Sequence, residues 1–266
     1  MNLTDFFQSQ LEAWPLAKEN YDKLGKLQFK DFDFGDFFIS AVFNPARAVS
    51  SFAKTDAESI KKRPCFLCAK NRPPEQEGID FLGKYQILVN PYPICPVHFT
   101  VTANNHEPQV FNPRMDDFME LPTRYEGFTA LFNGAKAGAS APDHLHFQLV
   151  GNDFFRQPIE KPMSPVIVKE SITSSDRDEI KQWFTDVFAR KNEELCNIFC
   201  KYSNGSWTVV VFPRIKHRPS YFFSGEILSS PGAIDMTGNL VIARAEDFEK
   251  IDKDIIADIY KQVSGY

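Results

Sequence analysis

Positive charge is in deficit in this chain. Thirty Lys and Arg stand against 35 Asp and Glu, a formal charge of −5. Non-specific binding to nucleic-acid backbones or anionic membranes needs a basic surface, so neither is expected of this protein. A small basic pocket for a phosphorylated metabolite is not excluded. Long apolar runs are missing too. The longest, near Val209–Phe212, is far too short to span a bilayer. Met1-Asn2-Leu3-Thr4-Asp5 has neither a basic nor an apolar signal region, so no secretory signal is expected. Cysteine is scarce and odd in number, five in 266 residues. That is no disulfide framework, and a reducing cytoplasm is the expected compartment. No sequence repeat, low-complexity tract or flexible linker is evident.

Apolar residues are plentiful at 43%, and 26 of the residues are Phe. A soluble surface cannot carry so many rings, so most of them belong to a core. The length suits one large α+β domain or two intimately packed halves. Thr4 to Leu24 reads as helical, broken at Pro15. Leu27–Phe32, Phe37–Phe43, Tyr85–Asn90, Phe99–Ala103, Phe128–Asn133 and Leu145–Val150 read as strands. Past Gly151, Ser175 and Asp178 resemble a capping box before a helical repeat at Ile180, Trp183, Phe184, Val187 and Phe188. Asn197–Tyr202 and Trp207–Phe212 flank Asn204-Gly205, a hairpin signal. Phe248, Ile251, Ile255 and Ile259 predict a C-terminal amphipathic helix. The reading is antiparallel strands covered by a few helices, with a soft boundary near residues 152–165.

Histidine is also scarce, five in all, yet two fall in Asp143-His144-Leu145-His146-Phe147-Gln148. On a strand, alternate residues share a face, so His144, His146 and Gln148 point one way and Leu145, Phe147 and Leu149 the other. An exposed polar face of an edge strand is the bland explanation. Against it stands the preceding Asn133-Gly134-Ala135-Lys136-Ala137-Gly138-Ala139-Ser140. Such a small-residue loop lets backbone N–H groups and a hydroxyl approach a phosphate closely. Cys65-x-x-Cys68 is ambiguous by itself among metal, redox and coincidence.

The run His144-Leu145-His146-Phe147-Gln148 after a Gly-Ala-Ser loop resembles the transferase branch of the histidine-triad superfamily. That branch includes galactose-1-phosphate uridylyltransferase, diadenosine tetraphosphate phosphorylase and the plant GDP-hexose phosphorylases. Asn90-Pro91-Tyr92-Pro93 through Pro96-Val97-His98-Phe99, Asn44-Pro45-Ala46-Arg47, Cys65-Phe66-Leu67-Cys68 and Ser230-Pro231-Gly232-Ala233 extend the likeness. The whole chain also resembles a bacterial family of this superfamily. One spacing departs from the uridylyltransferase: Ser140 and His144 are one residue further apart. The fold implied is a histidine-triad-like antiparallel sheet with flanking helices. Residues 1–155 would form the catalytic half with a metal site. Residues 156–266 would form a second half packed on it, a degenerate companion of the first.

The resemblance implies an enzyme, a nucleotidyltransferase of phosphorylase type. It would cleave a nucleoside diphosphate sugar or dinucleoside polyphosphate, with phosphate as partner substrate. A hydrolase of the same substrates and a nucleotide-binding module without catalysis are the alternatives. His146 would be the nucleophile, forming a nucleotidyl-histidine through an unprotonated ring nitrogen, with the other nitrogen held by a carbonyl. Gln148, whose amide donates without titrating, would steady phosphoryl oxygens. Arg47, Asn133, Gly138, Ser140, Lys216 and Arg218 are the expected substrate contacts. Lys216-His217-Arg218-Pro219 reads equally as a solvated loop, and Arg47 as a structural ion pair. The uridylyltransferase likeness adds His106 and His144 to Cys65 and Cys68 as ligands of a structural Zn²⁺, with His98 a rival for His106. Cys95, Cys196 and Cys200 read as ordinary buried residues. A homodimer is left open, since some relatives complete their sites across one.

Overall fold

The computed structural model describes residues 2–48 and 56–264. The first helix, Leu3–Ala13, starts where the Asn2 side chain accepts the Asp5 N–H at 2.8 Å. Pro15 opens a second helix, Pro15–Asp22, in the one position where its missing N–H costs nothing. The break expected at Pro15 is therefore present. β1 (Gln28–Asp33) and β2 (Phe38–Phe43) form an antiparallel pair.

The remaining strands are β3 (Gly78–Phe81), β4 (Tyr85–Val89), β5 (His98–Ala103), β6 (Phe128–Asn133), β7 (His146–Gly151), β8 (Glu170–Ser174), β9 (Cys196–Ser203), β10 (Ser206–Pro213) and β11 (Asn239–Ile242). Eight of them make one antiparallel sheet in the order β3-β4-β5-β7-β6-β9-β10-β8. β11 joins β2 in parallel to complete a separate three-stranded sheet. This is the α+β, largely antiparallel architecture expected. The soft boundary near residues 152–165 is no break in the sheet. β6 pairs with β9 from Thr129↔Lys201 to Asn133↔Asn197, so one sheet runs through both halves.

Strand alternation sorts the core onto two faces. Phe132, Phe147 and Leu149 pack with Phe118 and Phe184 of the helices Met115–Arg124 and Arg177–Arg190. Phe111 sits at the centre of that side, with ring centroids 5.1 Å from Phe118 and Phe132 and 5.2 Å from Phe184. Leu131, Val150, Phe199 and Val210 face the other way, onto Ile256, Ile259 and Tyr260 of the C-terminal helix. The heavy phenylalanine content is thus spent mostly in core. Among the described residues no helix is long and apolar enough to cross a membrane.

Several local expectations need correction. The Arg177–Arg190 helix is capped by Asp176, whose carboxylate accepts the N–H groups of Asp178 and Glu179, and not by a Ser175 box. The predicted C-terminal helix is two, Ala245–Lys250 and Lys253–Ser264, because Asp252 caps a fresh start by accepting the Ile255 N–H. The Asn204-Gly205 turn is as expected, with φ of +52° and +76° that suit the tight hairpin between β9 and β10. His144 is not on the strand. β7 begins at His146, and His144 lies in a turn closed by its N–H on the Ala141 carbonyl.

Candidate nucleotide site and metal cluster

A cavity of about 490 Å³ opens on the face of the sheet away from the phenylalanine core. Thr100, His146 and Gln148 form its floor from β5 and β7, and Asn90 stands at the end of β4. Gly138 to Ser140 line it from the loop after β6, and Ser230 to Asp235 line it from the second half of the chain. Of the residues expected at the site, His146, Gln148, Asn133, Gly138, Ser140, Arg47 and Arg218 all border this one cavity.

His146 is buried, 4% exposed. Its Nδ1 lies 2.8 Å from the His144 carbonyl oxygen. A carbonyl only accepts, so Nδ1 carries the proton and Nε2 carries the lone pair. Nε2 has no hydrogen-bond partner among the described residues. Burial holds the imidazole down at about 4, so the ring is neutral near pH 7. Its backbone is held by a residue that no motif announces. The β6–β7 ladder ends at Leu131↔Gln148. Beyond that point the Gln109 side chain is spliced between the strands. Its Oε1 accepts the His146 N–H at 2.8 Å, and its Nε2 donates to the carbonyls of His146 and Asn133, each at 2.9 Å.

Gln148 is oriented from the neighbouring strand. His98 Nε2 donates to Gln148 Oε1 at 2.7 Å, while His98 Nδ1 accepts the Ile94 N–H at 3.4 Å. With its oxygen engaged, Gln148 turns its NH₂ toward the cavity. His98 is thereby removed from contention as a metal ligand.

The small-residue loop is held by its own contacts. Gly138 has φ of +101°, and a Cβ there would lie 2.7 Å from Gly232 Cα. Two glycine-bearing loops meet backbone to backbone at this point. Asn133 Oδ1 accepts the Ala233 N–H at 2.7 Å and the Asn197 amide of β9 at 2.9 Å, and that amide also donates to the Ala137 carbonyl at 2.6 Å, so the two loops are linked through Asn133 and Asn197. Gly138→Ala is expected to cost about 2 kcal/mol from the positive φ and the contact with Gly232 together. Thermal unfolding checks this. An unchanged midpoint would show that the two loops separate without penalty.

Beside the cavity, Cys65, Cys68, His106 and His144 place one ligand atom each within 4.8 Å of one another. Cys65 Sγ is 3.2 Å from His144 Nδ1, and Cys68 Sγ is 3.3 Å from His106 Nδ1 and 3.6 Å from His144 Nδ1. Bonds of about 2.3 Å to sulfur and 2.0 Å to nitrogen set tetrahedral ligand atoms roughly 3.3–3.8 Å apart, so this cluster can hold a metal ion. His144 Nε2 donates to the Ala103 carbonyl at 2.9 Å, which leaves Nδ1 as its ligand atom. Asp143 lies 3.9 Å from His106 Nε2 and is itself fixed by Arg63 at 2.7 Å. Two thiolates and two neutral imidazoles are a donor set for a closed, charge-balanced divalent site. Cys95, Cys196 and Cys200 are buried, as expected.

The basic cluster divides. Lys216 does not reach the cavity lining, and its ammonium donates to Gln262 Oε1 at 3.0 Å. Arg218 does reach it, and so does His217, which no sequence pattern singles out. Arg218 Nε donates to Ser230 Oγ at 2.9 Å, and that hydroxyl lies 3.0 Å from His217 Nε2. Burial, then the neighbouring Arg218 and Arg214, push His217 down to about 3, so its ring is neutral near pH 7. Arg47 is half-buried and donates to the Tyr92 carbonyl at 2.6 Å. Asp235, also on the lining, accepts the N–H groups of Gly232 and Val241 at 2.8 Å each.

The family described as "Domain of unknown function (DUF4922)" matches residues 6–151. No curated protein matches the chain. Among solved structures, yeast Ap4A phosphorylase Apa2 superposes with a TM-score of 0.61 at 14% identity, covering 94% of this chain and 96% of that one. Its complex with Ap4A gives 0.58 at 12% identity, with 94% and 97% covered. Its complex with AMP gives 0.54 at 14% identity, with 96% of each chain covered. At such identities the likeness shows a shared fold over nearly the whole length of both chains, the histidine-triad-like fold expected from the motif.

Proposed function

We propose that this chain, which belongs to the DUF4922 family, is a nucleotidyltransferase of phosphorylase type acting through a nucleotidyl-histidine. The observation that carries the reading is the state of His146: proton on Nδ1, lone pair on Nε2, ring neutral, facing a cavity. Nε2 attacks the α-phosphorus of a nucleoside diphosphate sugar or dinucleoside polyphosphate. The P–O bond to the departing phosphate breaks, and its electron pair leaves on that oxygen. A phosphate oxygen then attacks the same phosphorus, and the N–P electron pair returns to Nε2. One displacement becomes two easier ones. The Nδ1–H bond to the His144 carbonyl supports the positive ring in between.

Gln148 donates its NH₂ to phosphoryl oxygens, with its orientation supplied by His98. The loop at Gly138 and Ser140 gives close backbone approach, and Arg218 with Ser230 faces the leaving group or incoming phosphate. Asn133 acts by holding the two loops, and Arg47 neutralises charge from below. Residues 1–155 supply the nucleophile and metal cluster, and 156–266 supply Arg218 and the Ser230 loop. The two halves thus work as one unit within a single chain. The solved complexes of the yeast phosphorylase with AMP and Ap4A support a nucleotide as the occupant.

Zn²⁺ is the ion we assign to Cys65, Cys68, His106 and His144. Bound there, it would supply cross-linking and no open coordination position, tying the Cys65 loop to the turn that feeds β7. Incubation with labelled nucleotide donors, with and without phosphate, tests the reading. Phosphate-dependent release of nucleoside diphosphate supports it, and turnover indifferent to phosphate contradicts it. Gln148→His is expected to raise the share of water as acceptor at least about tenfold, because imidazole shuttles a proton and an amide does not. An unchanged ratio of water to phosphate as acceptor would remove Gln148 from acceptor choice.

A further inference from the structure

We propose that the cavity selects a nucleobase carrying an exocyclic amino group, read by the side-chain oxygens of Asn71 and Gln76. The proposal rests on the nucleotide reading above. Its basis is the way two amides are held. Gln76 Nε2 donates to the Val89 carbonyl at 3.0 Å, and Asn71 Nδ2 donates to the Cys65 carbonyl at 2.8 Å. Flipping either amide would set oxygen against oxygen, so both orientations are fixed. Among the described residues, neither Gln76 Oε1 nor Asn71 Oδ1 has a hydrogen-bond partner, and both residues line the cavity.

The same cavity is lined by the apolar Trp14, Leu16, Phe66 and Leu88. Phe66 is 46% and Leu16 43% exposed, which is surface that a flat ring would cover. The polarity is opposite at His146. There Gln148 is fixed by His98 with its NH₂ outward. The cavity therefore offers N–H donors beside the nucleophile, where phosphoryl oxygens belong, and bare acceptors elsewhere on its lining. An acceptor that a bound ring shields from water pairs with an N–H. A keto oxygen brought to it would leave two oxygens facing each other unpaired, and sites built on hydrogen bonds reject such a mismatch strongly. Adenine, guanine and cytosine present an amino group on the edge away from the sugar. Uracil and hypoxanthine present no amino group there, only one ring N–H beside keto oxygens, which can satisfy just one of the two acceptors.

The test is equilibrium binding of AMP, GMP, IMP, CMP and UMP to the wild-type protein, which needs no turnover. The tightest of the five is expected to carry an amino group and to bind at least about tenfold better than its partner lacking it, AMP or GMP against IMP, CMP against UMP. Gln76→Leu is expected to bring that ratio within about twofold. Asn71→Ala, at an exposed position, is expected to lower it independently should Gln76→Leu fold poorly. IMP or UMP binding as tightly as its amino partner would overturn the proposal. So would a ratio that both variants leave intact. If the wild-type protein binds none of the five, the nucleotide reading falls, and this inference with it. A clear amino preference without covalent labelling would instead fault the mechanism and leave the base assignment standing.

Discussion

Cys68→Ser is expected to empty the metal cluster and to lower the unfolding midpoint by on the order of 10 °C. That scale follows from a loss of about 4 kcal/mol at roughly 2–4 °C per kcal/mol for a chain of this size. The cluster ties three remote pieces of sequence together, since the Cys65–Cys68 loop meets His106 and the His144 turn. Apart from the cluster, the loop is held to the His144 turn by Leu67 against Ala141 and by the Arg63–Asp143 pair. Losing the cluster should also reach the chemistry. His144 would lose its anchor on Nδ1, and its carbonyl is the group that fixes the His146 tautomer. Protein purified without added metal is expected to contain one Zn²⁺ per chain by elemental analysis. A zinc-free protein of undiminished stability would rule the site out.

His146→Ala is expected to reduce turnover by at least about 10⁴-fold, because it removes the lone-pair nitrogen that faces the cavity from the sheet floor. His217, also on the lining, has its Nε2 occupied by the Ser230 hydroxyl. Metal content should be unaffected in this variant, and stability should shift by about 1 kcal/mol. His144→Ala should behave the opposite way, losing metal and stability first. The pair of variants separates a nucleophile from a ligand two residues away. Equal losses of metal in both would mean that the two roles are not separable.

The histidine motif was legible because strand alternation is a strong rule and because five histidines leave few choices. It was legible only in part. His146 and Gln148 share a face of β7 as the alternation requires, but His144 lies before the strand, in a turn that brings it to Cys65 and Cys68. The residues that prepare the site were not legible. His98 meets Gln148 across 50 positions of sequence, and Gln109 grips the His146 backbone with an ordinary side-chain amide. Neither contact leaves a local pattern, because the first depends on strand register and the second on the path of the segment after β5. Elements were missed for similar reasons. β8 (Glu-Ser-Ile-Thr-Ser) alternates weakly at a sheet edge, β11 is four residues long, and the Met115–Arg124 helix carries Pro122 and lacks a side-chain cap. Lys216 misled because charge density in sequence says nothing about direction, and its partner proved to be Gln262.

The central claim is the covalent bond between His146 and the nucleotide. Wild-type protein exposed to a nucleotide donor labelled at the α-phosphorus, then denatured, should carry label that is labile to acid and stable to base, as a phosphoramidate is. Peptide mapping should place it on the segment containing His146, and added phosphate should discharge it as nucleoside diphosphate. The His146→Ala protein should acquire none. If that variant takes up the same acid-labile label, or if the wild-type label maps elsewhere, His146 is not the nucleophile and the nucleotidyl-histidine mechanism is wrong.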